Sequence, residues 1–287
     1  MSGLPSGYTQ LEYIQSGGTQ YIDTKFKPKS TSRVVMDFEF LKNGTASPFM
    51  SRDTSGGNIN MFGVFNISGR LRSDFGTERS YFPTDLSPLQ KMTYERNKNV
   101  CTIALETVTN TASTFTATYP MFLMASNDSG SAAYFSTGKL YSCAIYDNGT
   151  LVRDFVPCKN ASGAVGLYDT VNGQFYANAG TGTFTAGPEI IPDPPAAPAG
   201  LQTVLAVVLQ WAASANADRY DVYRDGAKLG STETTQYVDT TSEANQTYVY
   251  TVKAVNGGGE SAGTSITVYT KSGYFEYKPL IESANFP

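Results

Sequence analysis

Four prolines, Pro192, Pro194, Pro195 and Pro198, crowd into one short stretch of this 287-residue chain. Each fixes φ and removes a backbone donor, so neither a helix interior nor a central strand can pass through them. The segment predicts a linker stiffened toward polyproline II. A chain of this length sits near two domains at roughly 100–200 residues each, and the linker says where they divide. The expected organisation is a first domain over residues 1–188, a linker over 189–197, a second domain over 198–270 and a tail over 271–287. The tail keeps Tyr274, Phe275, Tyr277, Leu280, Ile281 and Phe286, whereas disordered tails are poor in such residues. It is expected to dock on something or to begin a further domain.

On both sides of the linker the sequence breaks into short β-branched and aromatic runs closed by turn pairs, and no segment keeps a helical period. Asn43-Gly44, Asn148-Gly149 and Asn172-Gly173 supply residues that tolerate the positive φ of tight hairpins. In Arg33 to Phe40, Met36, Phe38 and Phe40 alternate with Asp37 and Glu39, the signature of a half-buried antiparallel strand. Lys139 to Tyr146 with Leu151 to Val156 reads as one hairpin, and Val165 to Tyr168 with Gln174 to Tyr176 as another. A domain with this many strands best limits its exposed edges as two packed sheets. After the linker, Val207 to Trp211, Tyr220 to Arg224 and Tyr248 to Val255, with a turn at Asp225-Gly226, suit a seven-strand sandwich. Trp211, the one tryptophan, is expected as its core anchor. The fold class is therefore all-β.

Composition removes several chemistries. There is no histidine, so no imidazole serves as base, shuttle or metal ligand, and Ser-His-Asp and Cys-His triads are excluded. Lys and Arg number 21 against 25 Asp and Glu, a net charge of −4, which leaves no basic field for nucleic acid. Cys101, Cys143 and Cys158 are odd in number and lack a Cys-x-x-Cys pair, so they read as buried thiols behaving as small hydrophobes, in a chain folded in a reducing compartment. Residues 1–7 have neither the basic flank nor the apolar run of a signal peptide, and no stretch is apolar for membrane length. No membrane partner is expected.

Trp211, the Tyr220-x-Val222-x-Arg224-x-Gly226 strand, and the run from Thr247 through Tyr248, Tyr250, Val252 and Ala254 to Asn256 resemble a bacterial fibronectin type III domain over residues 194–270. That resemblance places Tyr248 at the family's tyrosine corner, with its hydroxyl tied to a backbone carbonyl. Residues 3–187 resemble the concanavalin A-like, laminin-G-like jelly rolls of tail and virion proteins of phages of Gram-positive gut bacteria. Leu4 to Ile14, Gly18 to Thr24, Tyr146 to Cys158 and Gly166-Leu167-Tyr168-Asp169 carry it. Glucanases of the jelly-roll fold place their acids as Glu-x-Asp-x-x-Glu, a triplet absent here, so no catalytic residue is assigned. No cofactor is expected, although the resemblance allows a calcium ion bridged by loop carboxylates and carbonyls.

What the residues support is sugar recognition by two polar loops, 51–58 and 125–135, each with hydrogen-bonding groups and the second with aromatic rings. Arg52, Asp53, Asn127, Asp128 and Tyr134 are the candidate ligand-binding residues. A single shallow sugar site reaches about a millimolar constant, roughly −4 kcal/mol, which many copies raise by about 10² to 10⁴ through avidity. The resemblance thus implies a non-enzymatic virion protein that binds bacterial surface polysaccharide, alongside other virion proteins and in a homo-oligomer, and is made in the host cytoplasm. Two alternatives stay open: an accessory region of a secreted glycan-active enzyme, hence extracellular, or a purely architectural virion subunit.

Overall fold

The computed structural model describes residues 4–54, 59–82, 88–204 and 207–271. Ser55 to Asn58 of the first expected loop lie outside the described residues, as does the expected tail from Ser272 onward. The chain divides into two compact units, Met1–Ile190 and Ile191–Pro287. No helix occurs among the described residues.

The first unit is a jelly-roll sandwich of an eleven-stranded and an eight-stranded sheet. The larger sheet runs Glu106–Thr109, Val100–Ile103, Met92–Asn97, Arg33–Phe40, Thr137–Asp147, Thr150–Asn160, Val165–Asp169, Gln174–Ala177, with Tyr8–Gln10, Ile14–Gly17 and Thr185–Ala186 pairing off this path. The smaller runs Ser131–Ala133, Ser126–Asp128, Thr45–Asp53, Asn60–Ile67, Arg70–Gly76, Glu78–Tyr81. Alternation decides which face each strand buries. Val34, Met36, Phe38 and Phe40 face inward, and Phe49, Phe62, Val64, Leu71 and Phe75 of the smaller sheet join the same core. Full burial of each such side chain contributes about 1.5–3 kcal/mol, and together these residues hold the two sheets face to face.

One inward position breaks the apolar rule. Arg96, on Met92–Asn97, is fully buried, with its guanidinium 5.6 Å from the rings of both Phe62 and Phe75. It donates to the Gly63 carbonyl at 3.1 Å and to the Ser73 hydroxyl, and Ser73 donates onward to Asn110 Oδ1. Burial lowers the pKa of this group, and hydrogen bonds to neutral acceptors keep the charge tolerable. Gly63 is required beside it, because a Cβ there would stand 2.3 Å from the Phe49 carbonyl.

The hairpin turn at Asn148-Gly149 has φ of 48° and 87°, and Gly173 has 66°. Asn43-Gly44 does not follow: neither residue has positive φ, and the strands it lies between, Arg33–Phe40 and Thr45–Asp53, belong to different sheets. A left-handed pair not singled out in the sequence, Ser68-Gly69 at 54° and 100°, turns the hairpin of Asn60–Ile67 and Arg70–Gly76. Hydrogen bonds hold the chain within and just beyond the expected linker. Within the first unit, the Ile190 amide donates to the Gln10 carbonyl; within the second, Asn256 donates to the Asp193 carbonyl and Thr264 to that of Pro198.

The second unit is the fibronectin-type sandwich. One sheet orders Gln202–Val204, Val208–Gln210, Gln236–Val238, and the other orders Ala227–Thr232, Arg219–Arg224, Thr247–Asn256, with Thr264–Tyr269 also pairing Thr247–Asn256. Asp225 and Gly226, at φ of 50° and 83°, form the tight turn. Trp211 is buried in the core against Tyr220, ring centroids 5.3 Å apart. The Tyr248 hydroxyl does tie back upstream, but it accepts from the Glu243 amide at 3.1 Å rather than donating to a carbonyl. A hydroxyl does either, and here the nearby orphan group is an N–H.

All three cysteines are free and buried. Burial raises each thiol pKa, to about 12 for Cys158.

Candidate functional site

The two polar loops converge because Ser126–Asp128 pairs parallel with Thr45–Asp53, setting Asn127 opposite Ser51 and Asp128 opposite Arg52. Arg52 Nε lies 3.5 Å from Asp128 Oδ1. Thr54 Oγ1 donates to the same carboxylate at 3.1 Å, its amide donates to Ser129 Oγ at 3.0 Å, and the Ser129 amide donates to the Arg52 carbonyl. Ser129 and Gly130 sustain this tight turn with φ of 53° and 94°.

Tyr134 completes the corner. Its ring meets Phe65 edge-on at 5.3 Å, and the Arg52 guanidinium lies 5.5 Å from it and 5.8 Å from Phe65. Such stacking is worth about 0.5–1 kcal/mol at an exposed site, and here it fixes a ring that stays 38% exposed. An aromatic face beside a carboxylate and two hydroxyls is the inventory that takes a pyranose. The ring covers apolar C–H surface, and the polar groups receive sugar hydroxyls.

Three expected residues, Arg52, Asp128 and Tyr134, therefore stand together. Asn127 is adjacent but already committed: it is buried, donates to the Pro120 carbonyl at 2.8 Å and accepts from the Gly130 amide at 2.9 Å. It shapes the turn rather than facing a ligand. Asp53 ends its strand opposite Asn60, and strand alternation sends it to the side opposite Arg52.

Sequence reasoning missed the continuation of this face. On the neighbouring strands Phe65 pairs with Arg72, and Arg72 with Tyr81. Arg72 grips the fully buried Asp74 with two bonds of 2.6 and 2.8 Å. Burial pushes the Asp74 carboxyl up, against the pull of Arg72. Tyr81 is 41% exposed, with the Arg70 guanidinium 4.5 Å from its ring. The signal was present as the alternation of Arg70, Arg72 and Asp74 with Leu71, Ser73 and Phe75. Among the described residues, no group of three or more acids or thiols is placed to hold a metal ion.

No family model matches the chain. An alpha-amylase of Niallia circulans is 31% identical over 185 residues, covering 50% of this chain and 14% of that protein. A poly(3-hydroxybutyrate) depolymerase of Ralstonia pickettii is 40% identical over 102 residues, covering 33% and 19%. Chitinase Chi52 of Paenibacillus xylanexedens is 39% identical over 107 residues, covering 34% and 20%. The chain thus spans a fifth or less of the length of each of these relatives. Among solved structures, mouse laminin alpha1 domains LG4-5 align over 95% of this chain and 70% of their own, at 12% identity and a TM-score of 0.36. The structure titled FN3tt mut aligns over 27% and 97%, at 24% identity and a TM-score of 0.25. The fold assignment rests on the strand orders above rather than on these likenesses.

Proposed function

We propose that this chain is a non-catalytic, polysaccharide-binding accessory region of an enzyme that acts on polymers. One observation carries the reading. An amylase, a poly(3-hydroxybutyrate) depolymerase and a chitinase perform three different reactions, yet each shares with this chain a stretch amounting to 20% of its length or less. A match confined to so small a part of enzymes with three different chemistries favours a non-catalytic region. Two of the shared stretches, at 102 and 107 residues, have the length of one sandwich domain. The first unit supplies the binding surface, with Tyr134 as stacking platform and Asp128, Thr54 and Ser129 as hydroxyl partners, and the second unit acts as a spacer. Polymers too large to enter a cell place the work outside it. The virion-appendage reading shares the non-catalytic binding role, with other virion proteins and further copies of the chain as partners, but gains no support from these relatives.

The test is co-sedimentation of the purified chain with insoluble starch, chitin, cellulose and bacterial wall glycan, together with an assay for released reducing sugar. Binding to at least one polymer without product release is the expected result, with Tyr134→Ala and Asp128→Ala each weakening it about fivefold to tenfold, the loss of one stacking or charged hydrogen-bond contact. Release of product, or no binding even from a multimerised form, would overturn the reading.

A further inference from the structure

The outer side of the eight-stranded sheet extends the Tyr134 corner into a track. Tyr134 rests on Phe65, whose cross-strand neighbours are Arg72 and then Tyr81. Strands lie about 4.8 Å apart, so two spacings, about 10 Å, separate Phe65 from Tyr81. Two partly exposed rings, at 38% and 41%, thus flank a row long enough for a few linked sugars.

The charges along that row are not balanced. Arg52 has Asp128 as its partner, and Arg72 has Asp74. Arg70, exposed and stacked on Tyr81, and Arg79, exposed and directly opposite Asp74, form no ion pair among the described residues. Strand alternation puts Arg79 and Tyr81 on the same side. In a chain whose net charge is −4, the described residues of this face carry a local excess of positive charge. A neutral glycan accepts only single, neutral-acceptor hydrogen bonds from a guanidinium, whereas a carboxylate or a phosphodiester accepts two parallel charge-assisted bonds from it.

We infer that the track binds an anionic polysaccharide running from Tyr134 to Tyr81, with Arg70 and Arg79 pairing its acid groups. This rests on the polysaccharide-binding reading of the first unit and names the class of polymer. The acid is a uronate carboxylate or a backbone phosphate, and the experiment separates the two.

The full chain is tested by affinity electrophoresis through gels containing polygalacturonate, poly(glycerol phosphate), neutral dextran or poly(U), at about 50 and about 300 mM salt. The wild type is compared with the Arg70→Gln/Arg79→Gln double variant and with Tyr81→Ala, and thermal melts check that each variant folds. Retardation by one acidic glycan is expected to exceed that by dextran about tenfold or more, as two charge-assisted bonds provide. The higher salt and the double variant should each remove most of that preference. Preference for polygalacturonate alone assigns a carboxylate, and for poly(glycerol phosphate) alone a phosphate. Equal binding of acidic and neutral polymers, an acid preference that survives in the double variant, or tighter binding of poly(U) would overturn the inference. Retention by dextran without acid preference would sink this inference alone, while retention by nothing would sink the binding reading with it.

Discussion

Both units tie strands together with ion pairs but, among the described residues, only the first seals an arginine in its core. In the second, charge ties strands to one another. Asp221 accepts from Lys228, Ser231 and Arg219, and Asp239 accepts from Arg224, Tyr250 and Thr241. In the first, one arginine is sealed in the core among phenyl rings, and others stand on an outer face with their stacking surfaces partly uncovered. Only the first also presents Arg70 and Arg79 exposed and outside any ion pair among the described residues. The contrast therefore argues for recognition in the first unit and mechanical separation in the second.

The sharpest way to break this division is through the core. Phe38→Ala empties the centre of the first unit's core and should cost about 3–5 kcal/mol. Calorimetry is expected to show one transition falling steeply while the transition of the second unit stays where it was. If both move together, the units are not independent. Next in size, Tyr250→Phe removes a buried hydroxyl from Asp239 at 2.7 Å and should destabilise the second unit by about 1–3 kcal/mol. Tyr248→Phe, which frees a single exposed amide, should cost about 1 kcal/mol or less. A reversed order in chemical denaturation would show that the corner tyrosine, not the buried ion cluster, holds that sandwich.

Acid should separate the units further. Although burial opposes their charge, hydrogen bonds and nearby cations hold Asp221 and Asp239 below the usual carboxylate range. Their contribution to stability is present above the ordinary value of about 4 and is lost as pH falls through the lower folded values. Asp74 has the opposite sign: its raised folded pKa makes its ionisation a cost to the first unit, relieved as pH falls. Glu78, at the first unit's surface, acts in the sense of the aspartates of the second. Stepped-pH melts from about 7 to about 3 are expected to lower the second transition relative to the first; the reverse would remove the electrostatic contrast. The smallest effect is expected from Tyr134→Ala, which should change stability by about 1 kcal/mol or less while weakening binding about fivefold to tenfold.

Local pattern made the strands legible, and local pattern is where legibility stopped. The alternation in Arg33–Phe40 and the pairs Asn148-Gly149 and Asp225-Gly226 carry their own geometry, because side-chain period and left-handed φ are properties of neighbouring residues. Asn43-Gly44 looked identical, yet neither residue has positive φ, and the strands on either side lie in different sheets. The same dipeptide serves a wider bend when the strands it joins do not need a tight hairpin. The grouping of Arg52, Asp128 and Tyr134 depends on a parallel pairing across some seventy residues, which no short window contains. Asn127 was indistinguishable from its neighbour Asp128 in sequence. Only the backbone turn decides that one side chain is consumed by Pro120 and Gly130 while the other stays at the surface. The Arg72–Asp74 pair is the converse case: the polar side of its strand holds a fully buried carboxylate.

The placement of two rare residue types turns the molecule into its own pair of instruments. Every thiol is sealed in the first unit, and the one indole is packed in the second. A thiol-reactive dye added to the native chain should therefore count openings of the first sandwich, while tryptophan emission follows the second in the same cuvette. If a polymer grips only one sandwich, dye uptake will slow and the emission trace will not move.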